Sequence, residues 1–360
     1  MEITLLISKM SNSGGTERVM SVFSNELAKR GHDVTIITVS DDKPGSFYYL
    51  EQNIKLIKNN ILGKLHNSFL KLMYFPIAIF KIRKAVLQSK PEIVISYVDI
   101  LNVMTILSLT NSKVPVIATE HFSPGIRKIG AVWEYLRNIT YKKARAVTVL
   151  TPEDKESFPA ELQDRIFVMP NPVSKPEKFK TDYSELKYEL IAVGRLVKDK
   201  GFDILIKSFS IIEKDFPNLK LNIYGSGTEF NNLCDLIDSL NLENKIFIND
   251  PVSNIIDKII SSDIFIHPAR LEPFGMVIVE AMSAGVPVIA TDCPNGPKNI
   301  ITHMTDGILV KNQSVEETAD SIKLLLTDKE LRKKLGENAK KITEKLSVEN
   351  FMNEWEELLA

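Results

Sequence analysis

At 360 residues the chain is too long for one ordinary core and suits two domains of common size. Its 44% hydrophobic and 25% charged residues exclude a largely disordered chain, and no apolar run is long enough to span a bilayer. Two cysteines, Cys234 and Cys293, lie too far apart to suggest a metal site, and so low a count fits a reduced, cytosolic setting. The net charge of −1 hides a division: residues 1–180 carry 25 Lys and Arg against 17 Asp and Glu, and the remainder 20 against 29. That asymmetry supports two domains facing different partners.

Taken in order, the chain alternates apolar runs of strand length with segments of helical period. Residues 2–8 read as a first strand rather than a secretory signal, and further buried parallel strands fall at 33–39, 92–96, 115–119 and 146–150. Helix-spaced apolar positions fill 16–30, 68–89, 100–110 and 132–144 between them. A Pro- and Lys-rich stretch at 170–180 interrupts the series, which then restarts with strands near 188–193, 219–224, 245–248, 263–266, 287–290 and 307–310. Helices at 314–327, 329–345 and 347–359 close it. Strand–helix alternation predicts parallel sheets, so the expected architecture is α/β, two doubly wound domains with a cleft between them. The expected bounds are 1–170 and 171–345, with 346–360 a terminal helix able to pack back on the first domain.

Glycine turns that lead into helices bind phosphate through bare N–H groups and the helix dipole. Gly14–Gly15 follows the first strand, where a plain strand–helix turn would read the same way. Gly225-Ser226-Gly227 follows a later strand and lacks the third glycine of a nicotinamide-binding fingerprint. Arg195 ends the first strand of the second series and Lys200 precedes the next helix; together they could neutralise a diphosphate, or stand as solvated loop charges. The strongest local signal is Glu272-Pro-Phe-Gly-Met-Val-Ile-Val-Glu280. It places one carboxylate at a turn, a second within the following helix, and free N–H groups at Phe274, Gly275 and Met276 toward phosphate or sugar oxygens. His121 follows a parallel strand, a position shared by structural histidines and ligand-binding ones.

These features resemble the family 4 glycosyltransferases, which have the GT-B fold. The resemblance is carried by GGTER at 14–18, TEH at 119–121, GRLVKDKG at 194–201, YGSGTE at 224–229, HPARLEPFGMVIVEAMSAGVPVIATD at 267–292 and DGILV at 306–310. It runs through both predicted domains and implies a nucleotide-sugar donor held by the C-terminal one and an acceptor by the N-terminal one. By the same resemblance Arg195 and Lys200 stabilise the leaving diphosphate, Glu272 lies beside the donor sugar, and His121 contacts it near the reacting centre. Glu280 meets the ribose and Gly15 brings its backbone to the phosphate, while Gly225, Phe274, Gly275 and Met276, read from their turns, complete the expected donor site. At Cys293–Lys298 a lysine stands where relatives carry an acidic residue, and His267 and His303 have no motif support and are read as structural.

The function expected is a retaining transfer, without metal or cofactor, of a hexose or N-acetylhexosamine from a nucleotide diphosphate sugar, UDP-linked by preference. The acceptor is a glycan hydroxyl, lipid-linked on a polyprenyl diphosphate, in cell-surface polysaccharide assembly. An epimerase or phosphorylase of the same fold, or a non-catalytic nucleotide-sugar-binding subunit, is the alternative; nucleic acid is not an expected partner. Residues 53–91 hold eight Lys or Arg and no acid, interleaved with aromatic and aliphatic residues. With Arg127, Lys128, Arg137, Lys142, Lys143 and Arg145 they predict peripheral docking on an anionic cytoplasmic membrane face, against the alternative of a core helix with a solvated basic face. Pro76 suggests two shorter helices in that segment.

Overall fold

A computed structural model describes residues 1–12, 14–40, 45–62, 68–126 and 128–360, with only the backbone of 68–73. The chain forms two compact units, one of Met1–Pro170 with Phe351–Ala360 and the other of Asn171–Asn350.

In the first unit the strands are β1 (Glu2–Ile7), β2 (Asp33–Thr38), β3 (Lys55–Lys58), β4 (Ile93–Tyr97), β5 (Val116–Thr119), β6 (Ala146–Val149) and β7 (Ile166–Val168). They form one parallel sheet in the order β3-β2-β1-β4-β5-β6-β7. In the second unit β8 (Glu189–Val193), β9 (Lys220–Tyr224), β10 (Ile246–Asn249), β11 (Ile264–His267), β12 (Val288–Asp292) and β13 (Ile308–Lys311) pair in parallel as β10-β9-β8-β11-β12-β13. Both sheets are doubly wound, as the strand–helix alternation predicts. The central strands are apolar because they are covered on both faces: β4 is buried along its whole length. Strand order reverses between β1 and β4 in one sheet and between β8 and β11 in the other, and ligands of such sheets bind beyond the strand ends at these reversals.

Two strands escape the periodicity. β3 reads Lys-Leu-Ile-Lys at a sheet edge, with Ile57 38% exposed, and β7 has only three residues on the opposite edge. An edge strand needs no continuous apolar run, so its sequence carries little strand signal. The helix expected over 68–89 forms as Ser68–Gln88, and the expected division at Pro76 is corrected: it is one helix with Pro76 inside it. Pro76 is exposed, where water can serve the backbone carbonyl that a proline leaves unpaired. Among the described residues no helix is long and apolar enough to cross a membrane.

The last helix, Val348–Leu359, completes the core of the first unit. Phe351, Met352, Trp355 and Leu359 are its buried residues, and Trp355 is 2% exposed. Phe23, on the helix Gly15–Lys29, meets Phe351 edge-on at 5.6 Å and Trp355 at 4.5 Å between ring centroids. Trp355→Ala should therefore cost about 3–5 kcal/mol. Both tryptophans of the chain, Trp133 and Trp355, belong to this unit. Urea unfolding followed by the fluorescence of Trp133 measures the loss, and a midpoint equal to the parent's would show that the terminal helix adds nothing.

Candidate active site

In the second unit the reversal point is assembled from three loops. The turn after β8 carries Arg195 and Lys200, the loop after β11 carries Glu272, and the segment Cys293–Lys298 follows β12. Gly201 joins the first two: its φ is +65°, and a Cβ there would lie 2.0 Å from the Pro268 carbonyl oxygen. Only glycine allows that conformation and that approach together. Arg270 then staples the loops. Its backbone N–H donates to the Asp199 carbonyl at 2.8 Å, its guanidinium to the Lys198 carbonyl at 3.0 Å, and its fork to both Asp203 carboxylate oxygens at 2.7 Å. That guanidinium, foremost through its hydrogen bonds, holds Asp203 below the usual carboxylate range.

The outcome is an ion pair in a largely dry setting. Lys200 Nζ lies 2.5 Å from Glu272 Oε2, and Glu272 is 7% exposed. Burial alone would push the Glu272 carboxyl up, but the Lys200 ammonium and His267 outweigh it and hold the group well below its ordinary range. Glu272 is therefore ionised. It can accept hydrogen bonds and cannot act as a proton donor near neutral pH. Its backbone is gripped from the other side, where Gly296 N–H donates to the Glu272 carbonyl at 2.9 Å. A Cβ on Gly296 would meet the Phe274 carbonyl oxygen at 2.3 Å, and Asn295 takes a positive φ of +75° to deliver the turn. The segment without the family's acidic residue thus supports Glu272 through its backbone.

The other site residues expected in this unit lie at the ends of β8 and β9 and around the helix that follows Glu272. Arg195 is exposed at the end of β8. Gly275, at φ +105°, caps the helix Met276–Ser283, whose first N–H groups lack intrahelical acceptors. Phe274 is buried at 4% and Glu280 at 3% exposure, Glu280 lying inside that helix. Gly225 has a packing role: a Cβ there would sit 1.9 Å from the Gly194 carbonyl oxygen, and one on Gly227 would sit 2.3 Å from that of Leu196. The turn after β9 therefore lies backbone against backbone on the turn that carries Arg195.

In the first unit Gly15 is the exposed first residue of the helix that follows β1. His121, just past β5, stacks on Tyr97 at the end of β4, with ring centroids 5.1 Å apart and planes 14° from parallel. Burial pushes its imidazole down to about 4, so it is neutral near pH 7. Behind it is a network that sequence reading missed. Tyr141 donates to Glu120 Oε1, and Asn102 donates to the Tyr141 hydroxyl at 3.2 Å and to the Thr119 carbonyl at 2.9 Å. Burial pushes Glu120 up to about 8 against the opposing pull of Tyr141 and Arg137. Arg137 itself is 6% exposed, its guanidinium 5.2 Å from the Phe158 ring centre, so it leaves the basic surface group expected of it. Arg127 and Lys64 lie outside the described residues, as does the side chain of Lys71. Among the described residues no three His, Cys, Asp or Glu side chains converge as metal ligands.

Residues 13–175 match the family described as Glycosyltransferase Family 4, and 173–342 match Glycosyl transferases group 1. An uncharacterized glycosyltransferase of Haemophilus influenzae is 30% identical over 99% of this chain and 99% of its own. The chain belongs to the family 4 glycosyltransferases. A Campylobacter jejuni relative is 28% identical over 100% of this chain and 98% of its own; it is named GalNAc-alpha-(1->4)-GalNAc-alpha-(1->3)-diNAcBac-PP-undecaprenol alpha-1,4-N-acetyl-D-galactosaminyltransferase. The crystal structure of Anabaena HepE in complex with UDP and glucose superposes with a TM-score of 0.81 at 18% identity, covering 100% of this chain and 99% of that one. The family 4 enzyme described here thus has the GT-B fold and is a glycosyl-transferring enzyme.

The buried carboxyl of Glu120 gives a test of the first unit by pH. A group whose folded pKa lies above its unfolded value stabilises the fold at low pH and loses that contribution as pH rises through the folded value. For Glu120 the loss spans the usual carboxylate range up to about 8. His121 has the opposite sign, losing its contribution as pH falls from its ordinary range toward about 4. Between about pH 6.5, the ordinary histidine value, and pH 8 the Glu120 slope therefore stands apart from that of His121. Urea midpoints by tryptophan fluorescence should fall across this window in the parent and flatten in Glu120→Gln. An equal slope in both would mean that Glu120 is ionised in the folded protein.

Proposed function

We propose that this enzyme transfers a hexose or N-acetylhexosamine, with retention, from a nucleotide diphosphate sugar to a hydroxyl of a glycan acceptor. The observation that carries this reading is the Lys200–Glu272 pair, set where strand order reverses, with Lys200 on the same turn as the exposed Arg195. A departing diphosphate needs cations, and Lys200 and Arg195 supply a point charge and a planar fork there. Glu272, ionised, accepts hydrogen bonds from sugar hydroxyls. It has no proton for the leaving group, so leaving-group stabilisation falls to the cations. Front-face displacement is the favoured course: the sugar–phosphate bond breaks, the acceptor oxygen bonds on the same face, and the departing phosphate oxygen takes the acceptor proton. Catalysis is then positioning and electrostatic stabilisation, with no metal ion or cofactor in the scheme.

UDP is the favoured nucleotide, supported by the UDP in the Anabaena HepE complex. A polyprenyl-diphosphate-linked glycan, as in cell-surface polysaccharide assembly, is the favoured acceptor, supported by the name of the Campylobacter jejuni relative. The donor belongs in this reading to the second unit and the acceptor to the first. With a panel of UDP- and GDP-sugars as donors, Lys200→Ala and Arg195→Ala should each lower turnover by about 100-fold or more. Activity within a few fold of the parent in both variants removes these residues from the mechanism.

A lipid-linked acceptor calls for a membrane-facing surface, and the first unit offers two apolar stripes. On Ser68–Gln88, Ile77, Phe80 and Leu87 are 48%, 66% and 38% exposed among Lys81 and Lys84. Phe80, Arg83, Lys84, Leu87 and Gln88 line a shallow depression there. On the helix Ala131–Tyr141, Val132, Tyr135 and Ile139 are 71%, 66% and 40% exposed, and Trp133 meets Phe75 edge-on at 5.6 Å, joining the two helices. Apolar side chains flanked by lysines suit an anionic headgroup layer on the cytoplasmic leaflet. The protein should float with phosphatidylglycerol vesicles at low salt and not with phosphatidylcholine vesicles, and Phe80→Ser with Tyr135→Ser should release it. Absence of flotation on anionic vesicles at low salt refutes membrane docking and leaves the transfer chemistry untouched.

A further inference from the structure

His267, the last residue of β11, is a second neighbour of the Glu272 carboxylate. It is 2% exposed, and its Nε2 lies 2.8 Å from Glu272 Oε2, the same oxygen that Lys200 Nζ meets at 2.5 Å. The ring N–H does not point along that line, so the contact is close without being a formed hydrogen bond. The oxygen is engaged by Lys200, and the histidine stands beside it in reserve.

The proposed transfer makes this arrangement consequential. If Lys200 stabilises a departing diphosphate, it turns from Glu272 toward the phosphate. A buried carboxylate stripped of its cation is strongly disfavoured unless another donor takes over. His267 is the side chain already within reach, and a neutral imidazole carrying its proton on Nε2 can donate without taking one from solvent. We propose that His267 is a positioning residue: it holds the Glu272 carboxylate in place when Lys200 leaves it for the diphosphate. This rests on the roles given above to Lys200 and Glu272.

The charged groups facing His267 are Glu272, from its own loop, and Lys200, from the turn after β8. Cys293, following β12, faces the same carboxylate, its thiol pushed up to about 12 by burial and then by that negative charge. Burial lowers the proton affinity of His267 most, Glu272 raises it, and Lys200 lowers it again; the balance lies below the ordinary histidine value. The ring is accordingly neutral near pH 7, the state in which it can accompany Lys200 without adding a second charge.

Two measurements separate this role from simple packing. The chain has five histidines, so their ring signals can be followed by NMR as pH is varied. The His267 midpoint should fall in Glu272→Gln, which removes the anion, and rise in Lys200→Met, which removes the cation. In kinetics, His267→Leu should lower kcat by about 10-fold or more with a smaller change in donor KM, and His267→Gln, whose amide can donate from a similar place, should recover most of the loss. An unchanged His267 midpoint in both NMR variants overturns the coupling, and parental kcat in a folded His267→Leu overturns the positioning role. The NMR result decides the contact by itself, whereas Lys200→Ala turnover decides the reading on which the role depends.

Discussion

The buried ion pair between Lys200 and Glu272 is the constraint around which the second unit is arranged. The residues lie 72 apart in sequence, and they meet because β8 and β11 are neighbours in the sheet. A carboxylate at 7% exposure has to be partnered, so the loops that bear the pair cannot drift independently. Gly201 permits the close approach of the two loops, the bidentate Arg270–Asp203 pair locks it, and Gly296 fixes the backbone of Glu272. Each of these features supports the geometry without being an expected ligand contact. Under the proposed transfer the ion pair parts as Lys200 turns to the diphosphate, and such a frame keeps the carboxylate in place.

The glycines of this unit show how sequence motif and physical cause can diverge. Gly225 and Gly227 form a turn that reads as a phosphate cradle, and their immediate structural reason is the carbonyls of Gly194 and Leu196 pressing against them. Any side chain at either position would push away the turn that displays Arg195. Glycine at Gly275 has a different reason, a left-handed φ that starts a helix directly after Glu272-Pro273-Phe274. One residue type therefore serves close approach in one place and backbone conformation in another, and only coordinates separate the two.

Much of the architecture was legible because central parallel strands are apolar from end to end and helices are periodic. β4 and β11 are entirely buried and stand out in the sequence for that reason. The edge strands β3 and β7 do not, because half of each strand's surroundings is solvent. Long-range pairs are hidden for a different reason: local spacing says nothing about what stands across the sheet. Arg137 sits among surface-like basic residues in sequence and turns inward onto Phe158, while His267 looks like an ordinary strand residue until Glu272 is seen beside it. The Glu120–Tyr141 network joins two elements whose period reveals only that both are buried. Glu120 nonetheless lay inside the TEH segment that carried part of the family resemblance, so the sequence pointed to the neighbourhood without revealing the chemistry.

The two units put unlike electrostatics at strand ends of like sheets. Beyond β5 of the first unit two titratable groups are held toward their neutral forms: His121 is kept unprotonated by burial, and the Glu120 carboxyl, hydrogen-bonded by Tyr141, is pushed up to about 8. Beyond β8 and β11 of the second unit the groups are charged, with Lys200, Arg195 and an ionised Glu272. Neutral, enclosed donors and acceptors discriminate by hydrogen-bond geometry and penalise a buried charge, whereas paired cations discriminate by charge and favour phosphate. A hydroxyl acceptor and a nucleotide diphosphate differ in the same respect. Under the proposed transfer, the fold would sort its two substrates by the dielectric and charge of each strand-end site. The same sheet topology can then serve both, because strand order fixes where a site forms and the loop residues decide whether it holds charge.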